Sequence, residues 1–260
     1  MLEIHKVLVT CEHASGAVPR AYRFLFKKNR RALKTHRAYD NGARTLARRA
    51  ARILQAPLQC GNVTRLLVDL NRSVGNETLF SSFSRTLPFA GRRRLLQRYY
   101  HPYRNLAETF AADAMNRGEA LLHLSVHTFT PTLRGRRRQT DIGILFDPTR
   151  KNERIFCERL KKTFKRAMPG CVIRFNDPYR GYDDALVTHL RLHFPAPHYL
   201  GVAVEVNQKF VRGPRMRWRL IQAALTASLK KTVGSFRVPS NGRIAGLDSK
   251  PKSSTGGTRR

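Results

Sequence analysis

Residues 201–206 read GVAVEV, a run of small and β-branched residues with no polar alternation. A strand of this kind is apolar on both faces, which points to the middle of a sheet covered by helices on both sides. The rest of the chain agrees with that reading. Residues 4–10 (IHKVLVT), 64–70 (TRLLVDL), 121–126 (LLHLSV), 141–146 (DIGILF) and 171–175 (CVIRF) are short runs that predict further strands. Between them lie stretches with apolar residues at helical spacing. These predict helices over 41–54, over 92–117 with an interruption near His101-Pro102, over 152–168 and over 218–232. Strands that alternate with helices give an α/β domain with a mostly parallel central sheet and helices on both faces.

The domain is expected over residues 1–233, and residues 234–260 read as a basic, disordered C-terminal tail of Gly, Ser, Pro, Thr, Lys and Arg. The tail holds six Lys/Arg and one Asp, so it carries little of the formal net charge of +33. The charge therefore belongs mainly to the folded part. A protein this basic attracts anions, and non-specific contact with nucleic acid or an anionic surface is an expected consequence. The chain shows no helix-turn-helix signature, zinc-finger spacing or aromatic RNA-binding motif to make such contact specific. The Arg runs at 92–94 and 136–138 read as solvated helix faces or loops. No apolar run approaches the length of a membrane span. The N-terminus MLEIHKVLVTCEH lacks the pattern of a secretory signal, so a cytoplasmic location is expected. Cys11, Cys60, Cys157 and Cys171 form no CxxC pair and are expected to be reduced thiols.

Ligands of open α/β sheets bind beyond the carboxyl ends of the strands. Four of the predicted strands end there in groups that could do chemistry. The first runs into Cys11-Glu12-His13 and the second into Asp69-Leu70-Asn71-Arg72. The third ends in Ser125-Val126-His127, and the last carries Glu205 before Asn207-Gln208. Two histidines with carboxylates make a plausible shell for zinc, whose catalytic sites keep three protein ligands and one open position. Glu205 is the most unusual residue, because a carboxylate in a buried strand costs several kcal/mol unless it is paired or used. A buried ion pair with one of the many arginines is the plainer alternative. Asn71-Arg72 could equally be an ordinary turn.

Six ordered blocks together resemble the N-formylglutamate amidohydrolase family: VTCEHASGAVP (9–19), HRAYDNGA (36–43), TRLLVDLNRS (64–73), LSVHTFTP (124–131), NDPYRG (176–181) and GVAVEVNQ (201–208). The resemblance implies a fold related to zinc carboxypeptidases and aspartoacylase. It also implies metal-dependent hydrolysis of the amide bond of an N-acyl amino acid, with a divalent metal, Zn2+ being expected. His13 and His127 would be metal ligands. Glu205 would be the general base, and Arg65 would polarise the scissile carbonyl. Asn71 and Arg72 would grip a substrate carboxylate, and Tyr179 and Tyr103 could line the pocket, with ordinary packing tyrosines as the equal alternative. The HxxE pair of the carboxypeptidase group is missing, since Gly16 stands three residues after His13. A third ligand must come from Asp40 or Glu12. Asp40 is favoured, because neighbours on an extended segment point in opposite directions. The implied substrate is a small anionic acyl-amino acid, with peptide-like or cell-wall amides as the alternative. A nucleic-acid-binding protein on a hydrolase fold is the reading outside enzymology.

Overall fold

A computed structural model describes residues 2–196 and 198–238. In chain order the elements are β1 (Leu2–Cys11), α1 (Ala43–Leu54), β2 (Leu58–Cys60), α2 (Phe89–Leu95), α3 (His101–Asn116), β3 (Ala120–Phe129), β4 (Thr132–Leu133) and β5 (Arg136–Arg137). They continue with β6 (Ile142–Leu145), α4 (Lys151–Ala167), β7 (Ile173–Phe175), α5 (Leu186–His193), β8 (Tyr199–Asn207), α6 (Lys209–Arg212), α7 (Arg215–Ser235) and β9 (Arg237–Val238). The central sheet has the order β2-β1-β3-β8-β6-β7, with β9 added to the start of β1. The pairs β2·β1, β1·β3, β3·β8 and β6·β7 are parallel, while β6 runs antiparallel to β8. The expected mostly parallel sheet is therefore present, with one reversal in its middle.

Every residue of β3 and of β8 is buried, including the polar His123, His127 and Glu205. One helical layer packs Leu46 of α1, Phe156 and Leu160 of α4, and Ile221 and Leu225 of α7 against Leu122, Leu124, Val202 and Val204. The other packs Ala107 and Ala111 of α3 and Leu186 and Leu190 of α5 against Leu8, Leu121 and Tyr199. Arg104 of α3 and Arg191 of α5 are the buried basic side chains of these layers.

Three sequence expectations are corrected. The strand expected over residues 64–70 is a turn-rich loop. Its amides bond locally or to other loops: Leu67 to Thr64, Asp69 to Leu79, Arg65 to Ala38. Its apolar residues are buried, Leu67 against Phe26 and Leu95, and Leu70 against the layer of α3. Burial without sheet pairing produced the strand-like pattern. The three residues of β2 take the place beside β1 instead. The helix expected over 92–117 does not break at His101-Pro102. A five-residue π-helical turn over Leu96–Tyr100 leads into α3, and Pro102 falls in the first turn of that helix, where its missing N–H costs least. Third, order extends past residue 233. Helix α7 runs to Ser235, and β9 pairs Arg237 with Glu3 antiparallel. The remainder of the expected tail, 239–260, lies outside the described residues.

One buried ion pair ties the outer elements to the sheet. Arg191 of α5 donates through Nε to Glu153 of α4 at 2.9 Å, and through its other nitrogens to the carbonyls of Gly181 and Gly201, each at 2.6 Å. Glu153 also accepts from the Gly201 amide at 2.9 Å and the Asp147 amide at 3.0 Å. Both side chains are almost fully buried. Glu153→Ala leaves the guanidinium charged and unpaired, so unfolding by denaturant should show a loss of about 3–5 kcal/mol. A loss below about 1 kcal/mol would mean that water reaches Arg191 once the carboxylate is gone.

Candidate active site

The carboxyl ends of β1, β3 and β8 converge as the strand order predicts. In the register of the sheet Glu205 of β8 stands beside His127 of β3 on one side and Gly143 of β6 on the other. Cross-strand partners project to the same face, so His127 and Glu205 share one floor. The lack of a side chain at Gly143 matters here. A Cβ would lie 2.3 Å from the Asp177 carbonyl, so glycine lets the 176–181 loop close down beside Glu205. That loop is stapled in place by Asn176, whose Oδ1 accepts from the amides of Phe146 and Gly181, both at 3.0 Å.

His13 lies two residues past the end of β1, and Asp40 precedes α1. The two segments are joined by a hydrogen bond from the Asp40 amide to the His13 carbonyl at 2.9 Å. Asp40 Oδ2 lies 2.9 Å from His127 Nδ1 and 3.4 Å from His13 Nδ1. The outer nitrogens of the two rings are held by other carboxylates. His13 Nε2 donates to Asp69 Oδ1 at 2.7 Å. His127 Nε2 lies 2.9 Å from Glu12 Oε2, which also accepts from Ser125 Oγ at 2.8 Å. Each imidazole is thus backed by a carboxylate that sets its orientation, the arrangement usual behind metal-binding histidines.

This donor set fits a divalent cation. One ligand atom from each of His13, Asp40 and His127 lies within 4.8 Å of the others, and all three residues are buried. His13 Nδ1 is buried without a hydrogen-bond partner, and so is Glu205 Oε2. Burial disfavours a charged imidazole, yet the hydrogen bonds to Asp40 and Glu12 hold the pKa of His127 well above its ordinary value. The pocket therefore calls for positive charge at His127 Nδ1. A divalent cation held there would supply that charge in place of a proton. Burial would push Asp40 and Asp69 up, but His13, together with Arg65, holds both carboxyls below the usual range. Glu205 goes the other way. Burial and the charge of Asp40 push it up to about 7, against the pull of His127 and His13. Its environment thus sets it near the pKa expected of a general base.

These groups form the floor of a cavity of about 240 Å³, walled by Arg65, Asn71, Arg72, Tyr179 and Arg180. Arg65 is held by Asp69, through Nε at 3.3 Å and a terminal nitrogen at 3.1 Å, and by Asp40 at 3.4 Å. Its side chain keeps 26% of its surface open. Asn71 spends its Oδ1 on the Leu186 amide at the start of α5, at 2.8 Å, which leaves its NH2 group for the cavity. Arg72 donates to the carbonyl of Asp184. Tyr179 stands half-exposed at the rim, where its hydroxyl accepts from Arg138 at 3.2 Å and the guanidinium lies 5.1 Å from its ring. Eight of the residues singled out in the sequence line this one cavity: His13, Asp40, Arg65, Asn71, Arg72, His127, Tyr179 and Glu205.

Other expectations need correction. Tyr103 does not line the pocket. It is buried behind the site, its hydroxyl 3.4 Å from Glu12 Oε1. The Arg run at 136–138 is solvated as expected, but Arg136 and Arg137 form an exposed two-residue strand, and Arg138 reaches Tyr179 at the rim. Asp69, which backs His13, carries no sequence signal beyond its place at an expected strand end. Arg180 carries none beyond its place in NDPYRG.

A strand-end cavity with two carboxylate-backed histidines and an unpaired glutamate is an arrangement suited to hydrolysis. Residues 5–212 match the N-formylglutamate amidohydrolase family, and the chain belongs to that family. Its reaction class is accordingly the hydrolysis of amides. The fold is similar to that of a gene product of Agrobacterium tumefaciens, with 27% identity, a TM-score of 0.70, and coverage of 88% of this chain and 89% of that one. It is also similar to an N-formylglutamate amidohydrolase from Ralstonia eutropha JMP134, with 18% identity, a TM-score of 0.66, and coverage of 90% and 95%. No curated protein matches the chain. Among the described residues no helix is long and apolar enough to cross a membrane.

Proposed function

We propose that this protein is a metal-dependent amidohydrolase that cleaves a small, anionic N-acyl amino acid of the N-formylglutamate type. The observation that carries this reading is Glu205, a buried carboxylate with a free oxygen, set in register beside His127 on the floor of an arginine-walled cavity. His13 and His127, each through Nδ1, and Asp40 would hold the metal. Asp69 and Glu12 orient the two rings by accepting their Nε2 protons. When bound, a divalent ion, zinc by the family resemblance, supplies Lewis acidity that polarises a carbonyl and acidifies a water.

The remaining steps belong to side chains. Glu205 accepts the proton of the attacking water, and the oxygen bonds to the acyl carbon. Arg65 turns its open edge to the oxygen that gains negative charge, the role in which a fixed cation lowers the barrier most. The proton on Glu205 then passes to the amide nitrogen as the C–N bond breaks. The products are the acid, formate for a formyl group, and the free amino acid. Arg72, with the Asn71 amide, takes the substrate carboxylate, and Tyr179 closes the rim.

The size of the cavity supports a small substrate. About 240 Å³ is less than the 300–1,000 Å³ of clefts that hold drug-sized ligands. Cell-wall fragments would have to lie largely outside it. The formal charge of +33 favours capture of a dianion, and added salt should lower kcat/KM. The same field would attract nucleic acid without sequence preference.

The deciding experiment measures metal content and N-formylglutamate hydrolysis before and after chelation. About one zinc per cavity with turnover lost on chelation and restored by zinc supports the reading. Turnover that survives complete metal removal overturns the metal; metal without turnover overturns the substrate. Arg72→Lys tests the carboxylate grip. An ammonium cannot reproduce a bidentate guanidinium. KM should rise about 10- to 100-fold with kcat changed less than about threefold. An unchanged KM would remove Arg72 from the binding site.

A further inference from the structure

Away from the cavity, three more potential ligands meet on the α3–α5 face. His189 and His193 lie one turn apart on α5, with ring centroids 4.6 Å apart. Glu108 of α3 faces both. Its Oε1 lies 3.1 Å from His189 Nε2 and 3.9 Å from His193 Nε2. One ligand atom from each residue falls within 4.8 Å of the other two. We propose that Glu108, His189 and His193 form a second divalent transition-metal site, separate from His13, Asp40 and His127, that fastens α5 to α3.

The geometry suits such an ion. Zinc binds imidazole nitrogen and carboxylate oxygen at about 2.0–2.2 Å, which puts tetrahedral ligand atoms about 3.3–3.5 Å apart. The two measured separations bracket that range. Two histidines at i and i+4 share one helix face, so no backbone change is needed to bring them together. An ordinary hydrogen bond explains one histidine beside Glu108, whereas here both Nε2 atoms approach the same oxygen. A cation between them would satisfy all three groups at once.

The chemistry selects the class of ion. Two imidazoles and one carboxylate favour zinc, cobalt, nickel or copper over magnesium or calcium. Burial and then the charge of Arg104 lower the pKa of His189, so the ring is neutral and ready to ligate at neutral pH. The side chains are 28%, 51% and 35% exposed for His189, His193 and Glu108, so an ion can enter from solvent. Three protein ligands leave at least one position open.

The placement gives the ion something to hold. One turn before Glu108 on α3, Arg104 donates to the carbonyls of Arg72 at 3.3 Å and Leu70 at 3.4 Å. At the start of α5, the Leu186 amide bonds Asn71, and Asp184 accepts from Arg72. A cation that joins α3 to α5 would therefore brace the frame that carries Asn71 and Arg72.

Equilibrium dialysis of the intact protein against micromolar zinc tests the proposal, with wild type compared with His193→Ala. His193 is largely exposed, so its truncation should leave the fold intact. The variant should bind one zinc fewer per chain. With cobalt in place of zinc, it should lack part of the wild-type visible absorption. Glu108→Gln, which keeps the side-chain shape, should lose the same equivalent. Equal zinc numbers in wild type and both variants would overturn the site. The reading is a difference of one equivalent, so it holds or fails independently of whether His13, Asp40 and His127 bind metal.

Discussion

Glu205→Gln lowers kcat at least about 10²-fold and leaves the metal content of the protein at the wild-type level. The amide keeps the shape of the side chain and fills the same place beside His127, but it cannot take a proton from water. A 10²-fold loss corresponds to about 2.7 kcal/mol of barrier. The variant carries a second readout that a merely damaged protein would not give. Burial pushes the Glu205 carboxyl up to about 7 from an ordinary 4.5. A group whose pKa is raised on folding favours the folded state fully below its unfolded value, and that contribution is lost as pH rises through the folded value. Metal-free wild type should therefore lose stability between about pH 4.5 and pH 7 through this residue. Glu205→Gln should not, and above pH 7 its chelated form should melt higher than chelated wild type. Melting curves at pH 5 and pH 8 check the sign. Near-normal turnover would remove Glu205 as the base, and a lower melting temperature at pH 8 would mean that the carboxylate has a structural partner.

The second large effect is expected at His127. His127→Ala should remove metal and activity together, activity by a factor of at least about 10³, because this side chain would supply both a ligand and the base's neighbour. It also leaves Glu12 and Asp40 without the imidazole that now lies between them, each at 2.9 Å. Both carboxylates are buried, so the variant should lose stability as well, by about 1–3 kcal/mol. His127→Asn separates the two consequences. Its amide can donate to one carboxylate and recover part of the stability, while metal and turnover stay lost. If metal content is unaffected in either variant, His127 is not a ligand.

His13, His127 and Glu205 were legible because each interrupts or ends an apolar strand, where a polar group has no packing reason to be. Asp40 was not legible in that way, since it lies in a loop of mixed polarity and was singled out by its place in YDNGA. The choice between Asp40 and Glu12 rested on the alternation of side chains along an extended segment. The structure puts Glu12 at the Nε2 face of His127 and Asp40 at the Nδ1 face. Asp69 had no role in the sequence reading, because its partner His13 is 56 residues away. The loop over residues 64–70 misled for a related reason. Its leucines and valine are buried by helices and neighbouring loops, and apolar periodicity reports burial without naming the partner.

The amino-acid pattern alone determined the layered α/β architecture, the central place of the 201–206 strand and the cluster of polar residues at the strand ends. These follow from short-range rules: side-chain period, strand length and the cost of burying charge. Tertiary structure decided which carboxylate backs which imidazole, which oxygen of Glu205 stays free, and that β6 runs against β8. It also brought Glu108 to His189 and His193, 81 and 85 residues further along the chain. Such pairings depend on how loops close between distant segments. A local pattern carries no record of that closure, because the same sequence of polar and apolar residues suits many of them.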